Sequence, residues 1–164
     1  MNVIEFKKTT SPALLKKLKF HALISTYTSY VSLKGIKVGL EWAHADHIDA
    51  SELIGHIPFT PTGQFFTRFQ AGNFIEPHVD DHATRTSCLS VALAPTLEKF
   101  APVMYYDKFG DDAIITQIYH YTAHPVILNT TKVHAMYNNE NDRYIFQIQY
   151  NQPINDFITY ARML

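Results

Sequence analysis

Residues 65–80 read FFTRFQAGNFIEPHVD, two short apolar segments separated by the turn-forming tripeptide Ala71-Gly72-Asn73. Val, Ile, Phe, Tyr and Thr favour strands, whereas Gly and Asn favour the tight turns between them. The same pattern of short apolar segments separated by turn-forming residues continues to residue 150. It predicts eight strands, at about 65–70, 74–79, 86–93, 103–106, 113–119, 124–129, 132–137 and 143–150. Eight antiparallel strands in two sheets are typical of the jelly-roll or cupin architecture, a double-stranded β-helix.

The residues before this β-rich part predict helices. Ser11 followed by Pro12 fits a helix N-cap and the first helical position, and apolar residues then recur at helical spacing. Asp49 with Glu52 three positions later resembles a capping box, which predicts a short second helix. We therefore expect a helical N-terminal extension, or buttress, over residues 1–63.

Length and composition indicate one domain, residues 1–164, with a jelly-roll core at about 65–150 and a short closing helix at about 154–162. The chain is 46% hydrophobic and 18% charged, which is too apolar for a disordered protein. The formal net charge of -1 gives no electrostatic basis for non-specific nucleic-acid binding.

The sequence predicts a cytoplasmic protein. Cys88 is the single cysteine, so an intramolecular disulfide is excluded and a reducing compartment is expected. Charged residues interrupt the first part of the chain, which lacks the apolar core of a signal peptide. The longest apolar runs fall short of the roughly 20 residues that span a bilayer. We therefore expect no membrane association.

A metal site is predicted at the end of the second strand. His78 and Asp80 lie two positions apart, and strand alternation turns both side chains toward the same face. His134 is available as a third ligand, because a double-sheet fold can bring its distant strand opposite the first pair. Two imidazoles and one carboxylate on one face of an octahedron leave three positions open, as in non-haem Fe(II) enzymes. We therefore predict a catalytic metal site.

Arg143 opens the last predicted strand, nine residues after His134. A guanidinium in a mostly apolar barrel mouth needs an anionic partner, and its fork of donors matches a carboxylate. The final strand has no acidic residue placed to provide that partner. The distal carboxylate of 2-oxoglutarate could supply it, with the keto acid end of the same molecule on the iron.

In these residues the chain resembles the Fe(II)- and 2-oxoglutarate-dependent oxygenases, and within them the prolyl 4-hydroxylase-like branch. The resemblance covers about residues 65–150, and both the order and the spacing of the motifs agree. These motifs are FQAGNF (69–74), HVD (78–80), RTSC (85–88), VH (133–134) and DRY (142–144).

The resemblance implies a dioxygenase that uses O2 and 2-oxoglutarate to hydroxylate a C-H bond, with release of succinate and CO2. His78, Asp80 and His134 would be its catalytic Fe(II) ligands. Arg143 would bind the distal carboxylate of 2-oxoglutarate, and Arg85 would point toward the cosubstrate or the substrate. A prolyl or other peptidyl side chain is the substrate that the resemblance suggests, although related folds also host free amino acids, nucleotides and nucleobases.

Two positions depart from the pattern of the prolyl hydroxylases. Phe69 stands where a Tyr often helps to hold the cosubstrate, and Ala92 lies where a second Tyr is expected. Either another group, such as Thr67 or Gln147, completes the carboxylate pocket, or the cosubstrate is held more loosely.

The sequence leaves alternatives open. A second His-x-Asp triplet begins at His44 and includes Asp46, but it lies outside the β-rich region and is the weaker ligand pair. A cupin-type metalloenzyme would use the same three ligands without 2-oxoglutarate, and a non-catalytic cupin-like binding module would retain them without chemistry. Arg143 distinguishes the oxygenase from the cupin-type enzyme. The expected partner is a peptide, protein or small-molecule substrate, and the oligomeric state is open.

Overall fold

The structure, a computed structural model, describes residues 1–31, 37–80, 85–137 and 140–163. Its α-helices are α1 (Pro12–Ile24), α2 (Ser51–Ile54) and α3 (Ile158–Met163), and 3-10 turns lie at Leu97–Lys99 and Ile154–Phe157. None of the helices within these ranges has the length and the apolar composition needed to cross a membrane. The strands are β1 (Val3–Glu5), β2 (Thr28–Val31), β3 (Lys37–His44), β4 (Gly63–Phe69), β5 (Phe74–His78), β6 (Ser87–Ala94), β7 (Val103–Tyr106), β8 (Ile115–Tyr119), β9 (Val126–Asn129), β10 (His134–Tyr137) and β11 (Arg143–Tyr150).

These strands form two antiparallel sheets in the described part of the chain. The larger sheet has the order β1-β9-β6-β11-β4-β3-β2, and the smaller sheet has the order β5-β10-β7-β8. The predicted double-stranded β-helix is confirmed, because β4 to β11 match the eight predicted strands within two residues at every end. The predicted closing helix is also present, as the second 3-10 turn followed by α3.

Residues 1–63 contain strands in addition to the helices that the sequence predicts for this extension. Helices α1 and α2 are present, but β1, β2 and β3 also come from residues 1–63, and all three belong to the larger sheet. β1 pairs with β9 and β3 pairs with β4, so the N-terminal part extends both edges of this sheet. β1 has only three residues, which is too short for a strand pattern. In β3 the apolar residues Val38, Leu40 and Trp42 do alternate with Gly39 and Glu41, a strand signal that the predicted helical extension did not take into account.

Helix α1 begins where the sequence predicts. The Ser11 hydroxyl accepts a hydrogen bond from the Leu14 N-H at 3.2 Å, and Pro12 is the first helical residue. Leu14, Leu18 and Ala22 recur at helical spacing and are buried against the outer face of the larger sheet. The sheet residues of this outer core include Phe66, Leu89, Val91, Phe146 and Ile148.

The capping box predicted for α2 does not form. The N-cap is Ala50, which has no side-chain capping bond, and Asp49 accepts a hydrogen bond from the Ser51 N-H at 3.0 Å. Glu52 accepts hydrogen bonds from the backbone N-H and the hydroxyl of Ser11, at 2.8 and 2.6 Å. A long-range contact that joins α2 to the start of α1 therefore replaces the local cap.

A second core fills the space between the two sheets. Strand alternation divides β11 between the cores, because Phe146 and Ile148 face the helices whereas Ile145 faces the smaller sheet. This inter-sheet core also contains the candidate site. Its buried members are Phe100, Val103, Tyr105, Tyr121, Val126, Leu128 and Ile145.

Leu18→Ala is expected to lower the free energy of unfolding by about 2–5 kcal/mol, because Leu18 is fully buried and its truncation leaves a cavity under α1. Leu23→Ala, on the same helix, is the matched control. The Leu23 side chain is 67% exposed, so we expect a change within about 0.5 kcal/mol. Urea denaturation measures both variants, and equal losses would contradict the packing of α1 on the sheet.

Candidate metal centre and adjoining cavity

Strand pairing places two histidines opposite each other. His78 ends β5 and His134 begins β10, and the two residues are partners in the antiparallel register. Asp80 follows β5, where its N-H donates to the Thr130 carbonyl at 2.8 Å. The structure thus brings together the three predicted ligands from two distant parts of the chain.

His78, Asp80 and His134 form a compact group of ligand atoms. One ligand atom from each residue lies within 4.8 Å of the others, so a single metal ion can contact all three. Nε2 of His78 is 3.5 Å from Oδ1 of Asp80, and the two imidazole centroids are 4.3 Å apart. His134 is buried, whereas the other two residues are half-buried, which leaves one side of the group accessible.

Backbone carbonyls orient both imidazole rings. Nδ1 of His78 lies 2.8 Å from the Glu76 carbonyl oxygen, and Nδ1 of His134 lies 2.8 Å from that of Lys132. Because a carbonyl oxygen only accepts hydrogen bonds, each Nδ1 is assigned the proton and each Nε2 keeps its lone pair. Metal-ligating histidines are usually oriented by a second hydrogen bond of this kind. Each ring is therefore prepared to bind a metal through Nε2.

The charge state of the group suits a divalent cation. Burial lowers the pKa of His134 to about 4, and the neighbouring His78 acts in the same direction, so this imidazole is neutral at pH 7. Burial opposes the ionisation of Asp80, but the contact with His78 and the positive charge of Arg85 outweigh it and lower the pKa of Asp80. The group therefore offers a neutral nitrogen donor and an anionic oxygen donor side by side.

Arg85 lies against the ligand group. Its Nη2 donates to Oδ1 of Asp80 at 2.8 Å. Its Nε is buried and has no hydrogen-bond partner among the described residues. The side chain also lines the same cavity as the three ligands. Arg85 thus restrains the Asp80 carboxylate and keeps one unpaired donor at the site.

Arg143 is a buried cation without an anion. It is 1% exposed, and burial lowers its pKa. Nη1 donates to the Ala101 carbonyl at 2.9 Å and Nη2 lies 2.8 Å from the Met136 sulfur, but Nε has no hydrogen-bond partner in the described part of the chain. The rings of Phe69 and Phe100 lie 5.4 and 5.2 Å from its Cζ. No ion pair between described residues includes Arg143, so its charge is uncompensated.

One cavity of about 70 Å³ connects the ligand group with Arg143. Its walls come from both sheets and are mainly apolar. Thr67 and Gln147, two groups that the sequence suggests for the carboxylate pocket, both line it, and so does Tyr121. The arrangement suits a molecule with a metal-binding group at one end and an anionic group at the other.

The sequence did not identify Tyr121 as part of the site. It lies in the connection between β8 and β9, where no local pattern marks it. Its side chain lines the cavity, and its hydroxyl is buried without a hydrogen-bond partner among the described residues. The position of Tyr121 depends on how the β8–β9 connection packs between the two sheets. Hydrophobic periodicity predicts strands and helices but not the packing of such a connection.

The second His-x-Asp triplet lies apart from this group. Nδ1 of His44 is 3.6 Å from Oδ2 of Asp46, but both side chains are 66% exposed. In the described ranges, no third His, Cys, Asp or Glu joins them in a ligand group. His44 packs instead against the rings of Trp42 and Phe65, with centroids 4.8 and 5.3 Å away. The structure therefore favours an exposed aromatic cluster over a second metal site.

Solved structures share this fold at low sequence identity. A scan against protein-family models finds no match, and neither does a search of the curated proteins. The chain is similar to a prolyl hydroxylase from Trichoplax adhaerens in complex with a hypoxia inducible factor oxygen degradation domain peptide fragment, with a TM-score of 0.66 and 10% identity over 99% of this chain and 86% of that chain. For a Pseudomonas putida prolyl-4-hydroxylase the TM-score is 0.63, with 10% identity over 91% of this chain and 92% of that chain.

A third similar structure is HygX from Streptomyces hygroscopicus with nickel, 2-oxoglutarate and hygromycin B bound. Its TM-score is 0.62, with 10% identity over 93% of this chain and 83% of that chain. The chain therefore has the fold of the prolyl hydroxylases and of other 2-oxoglutarate-Fe(II) oxygenases.

His134→Ala is expected to weaken Fe(II) or Mn(II) binding by roughly 100-fold or more, because even the loss of an outer-shell partner costs 10–100-fold. His44→Ala is the matched control, since it removes an exposed imidazole and should leave the affinity unchanged. Anaerobic calorimetric titration of the metal into the metal-free protein measures both variants. Full affinity in H134A with a loss in H44A would assign the metal to the other triplet.

Proposed function

We propose that this protein is an Fe(II)- and 2-oxoglutarate-dependent dioxygenase that hydroxylates a C-H bond and releases succinate and CO2. The proposal depends on the position of Arg143, a buried cation without an anion that shares one cavity with a His-Asp-His ligand group. Either feature alone fits other functions. Together they match a cosubstrate that carries a keto acid at one end and a carboxylate at the other.

His78, Asp80 and His134 would hold the iron. Two imidazole nitrogens and one carboxylate oxygen are the ligand set of the non-haem Fe(II) oxygenases, and this set leaves coordination positions open. The ligand group found among the described residues has these three members, and it opens into the cavity. The donor set therefore fits a catalytic iron better than a closed structural site.

Arg143 would bind the distal carboxylate of 2-oxoglutarate. Its planar fork of N-H groups matches a carboxylate, and its Nε has no partner within the described residues. The rings of Phe69 and Phe100 shield the guanidinium from water. A bound carboxylate would compensate a charge that the chain itself leaves uncompensated, so cosubstrate binding would offset the desolvation of Arg143.

Fe(II) and 2-oxoglutarate, when bound, supply O2 activation coupled to oxidative decarboxylation of the cosubstrate. The residues of the chain would bind and orient the iron and the cosubstrate, and they exclude water from the cavity. Arg85 holds the Asp80 carboxylate at Oδ1, and the two histidines are held through their Nδ1 atoms. Apolar side chains such as Ile75 and Ile145 line the cavity and limit the access of water.

A peptidyl side chain, such as a prolyl residue, is the substrate that we propose. Leu40 and Thr67 line the cavity, and Trp42, His44 and Phe65 continue the same faces of β3 and β4, because side chains alternate along a strand. These three rings form a partly exposed aromatic surface beside the cavity. Aromatic-lined surfaces bind proline-containing peptides. The structure from Trichoplax adhaerens is also a complex with a peptide fragment.

Arg143→Met is expected to weaken 2-oxoglutarate binding to the Mn(II)-loaded protein by about 30-fold or more, because the loss of one partner of a buried charge pair costs at least about 2 kcal/mol. The free energy of unfolding without cosubstrate should stay within about 1 kcal/mol of wild type, because the variant removes an uncompensated buried charge. Anaerobic calorimetry and urea denaturation measure the two quantities.

Arg68→Met is the matched control, because the Arg68 guanidinium pairs with Glu41 away from the cavity. It should show the opposite pattern, with a stability loss of roughly 1–3 kcal/mol and an unchanged affinity for 2-oxoglutarate.

Succinate formation with Fe(II), 2-oxoglutarate and O2 is the corresponding activity measurement. Wild type should form succinate, whereas H134A and R143M should not. An unchanged 2-oxoglutarate affinity in R143M would contradict the proposal and favour a cupin-type metalloenzyme. A wild-type protein that binds no divalent metal would favour the non-catalytic binding module.

A further inference from the structure

We infer that the Tyr121 hydroxyl donates a second hydrogen bond to the distal carboxylate of 2-oxoglutarate, beside Arg143. This inference rests on the proposed function, and it identifies a cosubstrate-binding residue outside the sequence motifs. Two buried polar groups, the Tyr121 hydroxyl and Nε of Arg143, belong to side chains that line the same cavity. Neither group has a hydrogen-bond partner in the part of the chain that the structure describes.

Ring packing holds Tyr121 close to Arg143. Tyr121 is 5% exposed, and its ring meets the Phe100 ring edge-on, with centroids 5.0 Å apart. The Phe100 ring also lies against the Arg143 guanidinium, 5.2 Å from Cζ. A further ring contact, with Tyr119 at 5.4 Å, limits the rotation of Tyr121. Phe100 thus contacts both side chains and holds them in the same apolar environment.

An unpaired buried hydroxyl indicates a missing hydrogen-bond acceptor. Buried polar groups in folded proteins are normally hydrogen-bonded, and a hydroxyl that lines a cavity can find its partner in a ligand. Burial raises the pKa of Tyr121 to about 12 against the opposing effect of Arg143, so the phenol keeps its proton at pH 7. Arg143 supplies the positive charge beside this donor. The acceptor that suits both groups is an anion with two oxygen atoms, such as a carboxylate.

Other polar groups near the cavity fit this role less well. Thr67 and Gln147 line the cavity but are only half-buried, so water can satisfy their polar atoms. Ser90 lies near the Tyr121 phenol, but its hydroxyl donates toward the Cys88 sulfur at 3.8 Å and makes no hydrogen bond of normal geometry with the phenol. Tyr121 is the group that combines full burial, an unpaired donor and proximity to Arg143.

The position of Ala92 is consistent with this role for Tyr121. The resemblance to the prolyl hydroxylases leads one to expect a tyrosine at position 92, on β6. Ala92 packs against the inter-sheet core that contains Tyr121, and its methyl side chain offers no hydrogen-bond donor there. The β8–β9 connection thus provides a tyrosine hydroxyl, whereas β6 contains no tyrosine.

Tyr121→Phe removes the hydroxyl and keeps the ring. We expect it to weaken 2-oxoglutarate binding to the Mn(II)-loaded full chain by about 10- to 100-fold, the effect of losing one hydrogen bond to a charged group. Calorimetric titration without O2 measures this affinity independently of turnover. Tyr150→Phe is the matched control, because Tyr150 carries another buried, unpaired hydroxyl but lies in the outer core. Its affinity should equal that of wild type.

A second ligand tests which end of the cosubstrate Tyr121 contacts. 2-Oxobutyrate has the same keto acid end but no second carboxylate, so Y121F and wild type should bind it equally. A similar loss for both ligands would overturn the inference, because it would mean that the variant disturbs the metal end.

The remaining outcomes separate this inference from the proposed function. If R143M weakens 2-oxoglutarate binding but Y121F does not, the inference is overturned and the proposed function stands. If Thr67→Val weakens binding in place of Y121F, the second donor is Thr67 and the inference is again overturned. If wild type does not bind 2-oxoglutarate, or R143M binds it as well as wild type does, the proposed function itself fails.

Discussion

The antiparallel pairing of β5 with β10 is the constraint on which the site depends. This register sets His78 opposite His134 and leaves Asp80 just beyond the end of β5. A slip of one residue in either strand would turn one imidazole to the outer face of the sheet and disperse the ligand group. The next inward side chain of β10, Met136, lies against the Arg143 guanidinium, so the same strand also defines the far end of the cavity.

The cavity concentrates polar groups whose partners the chain does not supply. Nε of Arg85, Nε of Arg143 and the Tyr121 hydroxyl are all buried and unpaired among the described residues, and all three side chains line it. Such groups cost stability in the free protein, and sites prepared for a ligand commonly carry this cost. The outer core under α1, which has no part in the site, supplies compensating apolar burial.

The strands of the β-rich part and the His78–Asp80 pair could be predicted from the sequence because both follow from local rules, whereas His134 was predicted from the expected double-sheet fold and the family resemblance. Alternation puts His78 and Asp80 on one face, and turn residues bound each strand from β4 to β11. Strand β1 could not be predicted, because three residues carry too little pattern and pairing with β9 decides their conformation. Glu52 looked like a local cap but bonds to Ser11, a contact between residues 41 positions apart. Tyr121 was missed for the same reason, since tertiary packing alone brings it to Arg143.

A crystal structure of the protein with Mn(II) and 2-oxoglutarate, grown without O2, tests the central claim most directly. We expect one metal ion at about 2.1 Å from Nε2 of both His78 and His134, a distance typical of metal-imidazole bonds, with the Asp80 carboxylate as the third protein ligand. The second carboxylate of the cosubstrate should lie on Arg143. A metal ion bound by His44 and Asp46, or a cosubstrate whose carboxylate avoids Arg143, would contradict the assignment of this site.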